Sequence, residues 1–313
     1  MKYLIKTFEQ FVNEAVVHPE FDKVLVTREA LFRESFFTGP KYRTKDYWMI
    51  ATRSDNMQRF PDDFPVLVYD KKCFKKLQKE KNYKPEQVYN KIEARDRVVS
   101  KAKFYSEHKD SEFILPTALD KNGIKNLNFP IVGKPDKEHS GLGIQVFKNA
   151  EDLNNTDLSA FSSFSEKANI KEEHRIFMWR TEPITWTQRV PMNDETKDIS
   201  KKDPKDKTDF SYVLKKGQLP EKYTKALSYF ADKHSDLDFY AIDLIEDTKE
   251  NVYVLELNTE PGALFGVMTI VYQKIYEEYY DKPLSAEVIK TLEQYKQEDI
   301  VQNTKQNPKW KVE

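Results

Sequence analysis

From Ala241 to Gly262 apolar and polar residues alternate, break at a polar cluster (Asp247, Thr248, Lys249, Glu250, Asn251), alternate again and stop at Pro261-Gly262. Period-two alternation around a polar break is the pattern of a β-hairpin. Successive side chains on a strand point to opposite faces, which puts Asp243 with Ala241 and Ile245, and Glu256 and Asn258 with Val254. Ile242, Leu244, Tyr253, Leu255 and Leu257 form the expected apolar face. A turn centred on Lys249 and Glu250 sets Asp243 directly opposite Glu256.

The same reading places other elements. Leu4, Phe8, Phe11, Val12 and Ala15 recur at helical spacing within residues 3–16. Strand-like runs follow at 24–27, 47–51 and 66–69, and a helix is expected from Pro85 to about Glu107, with a strand at 113–116. Residues 129–135 and 143–147 read as two strands joined by a polar loop, and 175–179 and 184–190 as two more. Residues 194–209 are highly charged and read as a mobile loop. Pro220 opens a helix with Tyr223, Ala226, Leu227, Phe230 and Ala231 on one face, and two more helices are expected near 266–280 and 285–299. No internal repeat is visible.

Composition narrows the classes. The 313 residues suffice for two or three subdomains, and a net charge of −1 with 33% charged residues offers no bulk attraction to nucleic acid or membrane. The longest apolar run, 263–272, is half of the roughly 20 residues a membrane span needs. One cysteine, Cys73, excludes an internal disulfide and, with five histidines, argues against a Cys/His zinc site. With no secretion-type signal pattern, a reducing, cytoplasmic compartment is expected.

Only eight glycines occur, and five of them fall in two segments. Gly262 and Gly266 follow the acidic hairpin; Gly133, Gly141 and Gly143 lie in Val132-Gly133-Lys134-Pro135 and the loop after it. Backbone N–H groups of such a loop form an anion-binding nest, with Lys134 as a point charge beside it. On the hairpin, Asp243, Glu256 and Asn258 offer only oxygen, the donor type Mg²⁺ takes together with waters and phosphate oxygens. The plainer reading of acidic residues on a strand is a solvated sheet face.

The two segments together resemble the ATP-grasp superfamily, and specifically carboxylate–amine ligases of the D-alanine–D-alanine ligase and ribosomal-protein glutamate ligase types. The resemblance is carried by Lys134-Pro135, the loop Ser140-Gly141-Leu142-Gly143, Glu166-Lys167 with Glu173 seven residues on, and Asp243 with Glu256 thirteen residues on, then Asn258 and Pro261-Gly262. Asp96-Arg97 followed by Leu115-Pro116-Thr117 extends it, so that it spans roughly residues 90–265. It implies an α+β ATP-grasp fold in which two α+β subdomains clasp ATP behind a small α/β N-terminal domain. The expected spans are 1–18 for an amphipathic segment, 19–90, 91–168 for the lid subdomain and 169–313 for the C-terminal subdomain.

By resemblance, Arg97 and Lys134 contact ATP phosphates and the loop of Ser140, Gly141 and Gly143 closes over them. Glu166, Lys167 and Ala168 hold the adenine and Glu173 the ribose. Asp243, Glu256 and Asn258 hold two Mg²⁺ ions, for which Mn²⁺ can substitute. The implied partners are a small-molecule or peptide carboxylate and an amine. Two departures stand out: the superfamily's lysine appears as Arg97, with Lys101 one helical turn on, and the arginine expected two residues before Asp243 is Ala241. Arg175 and Arg189 are the candidate catalytic cations, unless they are only salt-bridge partners. A kinase on the same fold and a non-catalytic nucleotide-binding module remain alternatives. Residues 1–14 also resemble the clipped head-targeting segments of tailed-phage internal proteins, Val12-Asn13-Glu14 matching the apolar-x-Glu cleavage pattern. A terminal helix docked by Leu4, Phe8 and Phe11 accounts for the same residues.

Overall fold

The computed structural model describes residues 24–27, 49–52, 64–69, 71–79, 82–136, 143–191, 210–215, 217–261, 266–286 and 311–312, with 288–290, 293–294 and 296–297. The expected N-terminal helix, the head-targeting pattern, Ser140, Gly141 and the charged 194–209 stretch lie outside them. The chain divides into two compact units, residues 1–92 with 268–295, and residues 93–267 with 296–313.

The first unit holds a four-stranded sheet in the order β2-β1-β3-β4, formed by β1 (Val24–Thr27), β2 (Met49–Thr52), β3 (Val66–Leu67) and β4 (Val88–Tyr89). Its pairings are all parallel. Helix α1 (Lys71–Leu77) follows β3.

A single helix over 85–107 does not form. A 3-10 turn at Pro85–Gln87 leads into β4, Asn90 takes a positive φ of 58°, and two helices follow, α2 (Ile92–Val99) and α3 (Lys101–His108). Ser100 separates them: its backbone is extended and its hydroxyl accepts from Lys103 N–H, restarting the helix as an N-cap. The expected strand at 113–116 is also absent. Residues 113–116 form turns and bends, and β5 is only Thr117–Ala118.

In the second unit, β5, β6 (Ile131–Lys134), β7 (Gln145–Phe147) and β8 (Ser163–Glu166) pair antiparallel in the order β5-β8-β6-β7. Helices α4 (Lys121–Ile124) and α5 (Ala150–Asn154) fall between its strands in sequence, α4 between β5 and β6 and α5 between β7 and β8. Its small core is Ala118, Ile124, Ile131, Phe147 and Phe164. A Cβ on Gly133 would stand 2.9 Å from the rings of Phe147 and Phe161, so the strand before Lys134 packs tightly only because that residue is glycine.

The larger sheet has the order β13-β12-β9-β10-β11-β14, from β9 (Ile170–Trp179), β10 (Glu182–Pro191), β11 (Phe210–Lys215), β12 (Phe239–Asp247), β13 (Val252–Asn258) and β14 (Lys311–Val312). One face packs Ile176, Met178, Tyr240, Ile242, Leu244, Val254 and Leu257 against α2, α3 and α6 (Glu221–Lys233). The expected face of α6, namely Tyr223, Ala226, Leu227, Phe230 and Ala231, is the buried one. Helix α7 (Val267–Tyr280) buries Val271, Tyr272 and Ile275. Among the described residues, no helix is long and apolar enough to cross a membrane.

Candidate active site

The hairpin of β12 and β13 forms, and Asp243 pairs with Glu256, but by a different route from the one expected. The loop has three residues, Thr248 to Glu250. The Asp247 carboxylate accepts from the N–H groups of Lys249 and Asn251, and Glu250 takes a positive φ of 68°. Pairing from this tip runs Glu246 to Val252, Ile245 to Tyr253 and Leu244 to Val254. A β-bulge at Leu255 then shifts the register by one, which brings Glu256 opposite Asp243 and Asn258 opposite Ala241. The face assignment of the turn-side half is therefore corrected. Val254 lies in the core with Leu257, not beside Glu256, and Tyr253 pairs with Ile245 on the Asp243 side.

The register extends across the sheet, for Asp243 also pairs with Arg175 on β9, and Arg175 with Thr187 on β10. Arg175 donates to both carboxylate oxygens of Asp243, Nε to Oδ1 at 2.6 Å and Nη2 to Oδ2 at 2.7 Å. Burial works against the guanidinium charge, yet Asp243, with help from Glu256, raises its pKa further. Glu256 is pushed up by burial and by the facing Asp243 carboxylate, against the pull of Lys101, Arg175 and Lys134. Lys101 Nζ stands 3.7 Å from its Oε2. Asn258 Oδ1 accepts from Glu260 N–H at 2.9 Å, and Glu260 is held by Arg95 of α2 at 2.6 Å.

Lys134 approaches the same strand from the smaller sheet. Its Nζ donates to Tyr105 Oη at 2.7 Å, and Tyr105 Oη donates to the carbonyl of Leu255, the bulged residue, at 2.8 Å. Tyr105 and Lys101 are four apart on α3, on one helix face. Asp136, two residues past Lys134, accepts from Ser100 Oγ and Ala102 N–H and so fastens the end of β6 to the start of α3. Arg175 thus grips Asp243, Asp243 faces Glu256 and Lys101 stands beside Glu256, while Lys134 reaches the same strand through Tyr105 and Asn258 is engaged by Glu260. No local pattern singles out Tyr105, because a tyrosine four residues from a lysine is unremarkable until the helix is docked.

Other expected residues are placed elsewhere or are already engaged. Arg97 pairs with Asp236 at an exposed position, while Lys101, the substitute considered for it, is the cation beside Glu256. Glu173 accepts from Arg189 Nη1 at 2.6 Å, so these two side chains face each other on β9 and β10. Glu166 N–H donates to the Pro116 carbonyl and Lys167 N–H to that of Pro130, while Glu166 Oε1 accepts from Asn128. Ala168 follows in the segment between β8 and β9. Gly143 has a positive φ of 71° and packs against Pro135.

The donor set of Asp243, Glu256 and Asn258 fits Mg²⁺. It holds oxygen alone, from two carboxylates and an amide, and each oxygen keeps a lone pair beyond the hydrogen bonds described.

No protein-family model matches this sequence, and no curated protein matches it. Solved structures do match. D-alanine–D-alanine ligase from Bacillus anthracis superposes with a TM-score of 0.52 at 16% identity, over 88% of this chain and 99% of that one. N5-carboxyaminoimidazole ribonucleotide synthetase from Thermotoga maritima gives 0.52 at 15% identity, over 84% and 77%. The ATP-grasp ligase PsnB, in complex with a minimal precursor, Mg and ADP, gives 0.50 at 14% identity, over 88% and 97%. The chain has the α+β ATP-grasp fold.

Proposed function

We propose that this chain is an Mg²⁺- and ATP-dependent ligase that joins a carboxylate to an amine. The observation that carries the reading is the pairing of Asp243 with Glu256, with Asn258 beside them and Lys101 and Lys134 converging on the same strand. Two acidic side chains placed face to face repel unless a cation lies between them, and here lysines approach from two further elements.

In this reading Lys134 and Lys101 bind ATP phosphates, and Asp243, Glu256 and Asn258 hold Mg²⁺. Mg²⁺ held there neutralises charge that develops on the transferred phosphoryl group. The carboxylate substrate takes the γ-phosphoryl, giving an acyl phosphate and ADP. The amine nitrogen then attacks the acyl carbon, the C–O bond to phosphate breaks, and the amine loses a proton. Arg175 is the cation nearest Asp243, and it orients that carboxylate while adding positive charge where the transferred oxygens gather. Arg189 acts two residue pairs further along the β9–β10 ladder, through Glu173. The fold shared with an amino-acid ligase and a precursor-bound ligase favours an amino acid or peptide as the carboxylate.

A nucleotide-binding module without turnover is the second reading, and the grip of Arg175 on both Asp243 oxygens is what favours it. The deciding experiment measures ADP and free phosphate released from Mg-ATP with pooled amino acids and short peptides, against Glu256→Ala. Both products in equal amounts, dependent on the pool and lost in the variant, are expected. ADP without free phosphate would make it a kinase; nucleotide binding with no products would favour the module.

A further inference from the structure

Outside the acidic hairpin, two helices end at the same place. His108 is the last residue of α3, and His234 is the C-cap of α6. Both imidazoles are buried, 1% and 0% exposed, with their Nε2 atoms 2.9 Å apart. The exposed Glu107 completes a group whose three ligand atoms all lie within 4.8 Å of one another. We infer that Glu107, His108 and His234 form a transition-metal site that takes Zn²⁺ or a similar borderline cation through two nitrogens and one carboxylate oxygen.

Four features support this site independently of the ligase reading. First, helix C-termini carry partial negative charge from their free carbonyls, and two of them converge here, which favours a cation. Second, burial lowers the pKa of both histidines, that of His108 to about 4, so each imidazole is neutral at physiological pH and has a lone pair to give. The proton itself is thus a poor occupant. Third, the Glu107 carboxylate makes no hydrogen bond or ion pair among the described residues. Fourth, His108 Nδ1 lies 3.4 Å from Tyr229 Oη, the kind of outer contact that fixes a ligating ring when its other nitrogen faces a metal.

The fit needs little movement. Two nitrogens bound tetrahedrally to zinc at about 2.0–2.1 Å stand about 3.3 Å apart, so the rings part by roughly 0.4 Å. Glu107 supplies the third ligand from the solvent side, and the fourth position is open to water. The charges around His234 nearly balance: Arg97 is paired with Asp236, which leaves Lys233 against Glu107. Sequence composition argued against a Cys/His zinc site, and none is proposed with cysteine. The two histidines are 126 residues apart, so no spacing motif could show them. A metal here would tie the end of α3, which carries Lys101 and Tyr105, to the end of α6.

The test uses the full chain stripped of metal, in excess Mg²⁺ so that oxygen-only carboxylate sites are not counted. Zn²⁺ binding is measured by competition with a chromophoric chelator, and Co²⁺ is added separately for its visible spectrum. One equivalent of Zn²⁺, an intense four-coordinate Co²⁺ spectrum and a thermal midpoint that rises with Zn²⁺ are expected. Affinity should fall tenfold or more in Glu107→Gln, which alters an exposed position, and in His234→Gln. Loss in Glu107→Gln, or in His234→Gln with an unchanged circular dichroism spectrum, supports the site. Should His234→Gln fail to fold, Glu107→Gln alone decides. Absence of binding in the wild type, or binding unchanged in the folded variants, overturns it.

Discussion

Arg175 grips both oxygens of Asp243, at 2.6 and 2.7 Å, while the same carboxylate faces Glu256 across the β12–β13 ladder. The guanidinium therefore stands in for part of the positive charge that two opposed acids need. Arg175→Met removes it and leaves Asp243 beside Glu256. Urea unfolding in EDTA should show a loss of about 3 kcal/mol, the scale for breaking a largely buried pair, and Mg²⁺ should restore part of it. A loss that Mg²⁺ does not touch would mean that the ion does not bind between these acids.

Glu256→Gln should behave in the opposite sense. Burial and Asp243 raise the pKa of Glu256, so its ionised form is disfavoured in the fold. The amide should unfold in EDTA at an equal or higher temperature than the wild type, while Mg-dependent turnover disappears. Asn258→Ala should likewise abolish turnover with the fold kept. Normal turnover in either variant would remove these side chains from the proposed metal set.

Tyr105→Phe cuts the connection from Lys134 to the Leu255 carbonyl while keeping the ring. ATP affinity, read by isothermal titration, should weaken roughly fivefold, as expected for about 1 kcal/mol of lost hydrogen bonding. Lys134→Ala should weaken it further. Unchanged ATP binding in Lys134→Ala would place that lysine outside the nucleotide site.

On the opposite face of the large sheet Glu246 is fully buried and bonded to Lys171, Lys222 and Tyr223. Burial alone would raise its pKa, but these partners hold it down at about 2. A carboxyl whose folded pKa is depressed contributes stability above its unfolded value and loses it as pH falls. Stability should therefore decline from about pH 4.5 towards pH 2, and Glu246→Gln should flatten that part of the profile. An identical acid profile in the variant would rule Glu246 out as its source.

Gly133→Ala places a methyl 2.9 Å from the rings of Phe147 and Phe161. Overpacking of this kind costs about 1–3 kcal/mol, and chemical denaturation would register it. A variant as stable as the wild type would show that the aromatic pair yields freely.

What could be read from the chain follows the range of the interactions. The alternation around Asp243 and Glu256, the first three strands of the first unit and the buried face of α6 are local patterns, and they are visible in the residues themselves. The break at Ser100 was missed because the charge-rich segment keeps a helical composition straight through it, while a single hydroxyl cap decides the boundary. The bulge at Leu255 was missed because two deviations compensate: a three-residue loop in place of two, and one extra strand residue. Arg97 and Lys101, one helical turn apart, could not be told apart by spacing. Only the docking of α3 sends Lys101 to Glu256 and leaves Arg97 to Asp236.

The strand that carries Glu256 and Asn258 is the outermost of its sheet. An outermost strand ordinarily offers unpaired backbone groups to any extended chain that comes near. Here the outward N–H of Val254 is already given to the Phe113 carbonyl, and the carbonyl of Leu255 receives Tyr105. The tyrosine that positions a lysine also seals a seam. A partner strand cannot zip onto β13 at these residues, so the sheet is protected from edge-to-edge assembly where its acidic chemistry lies.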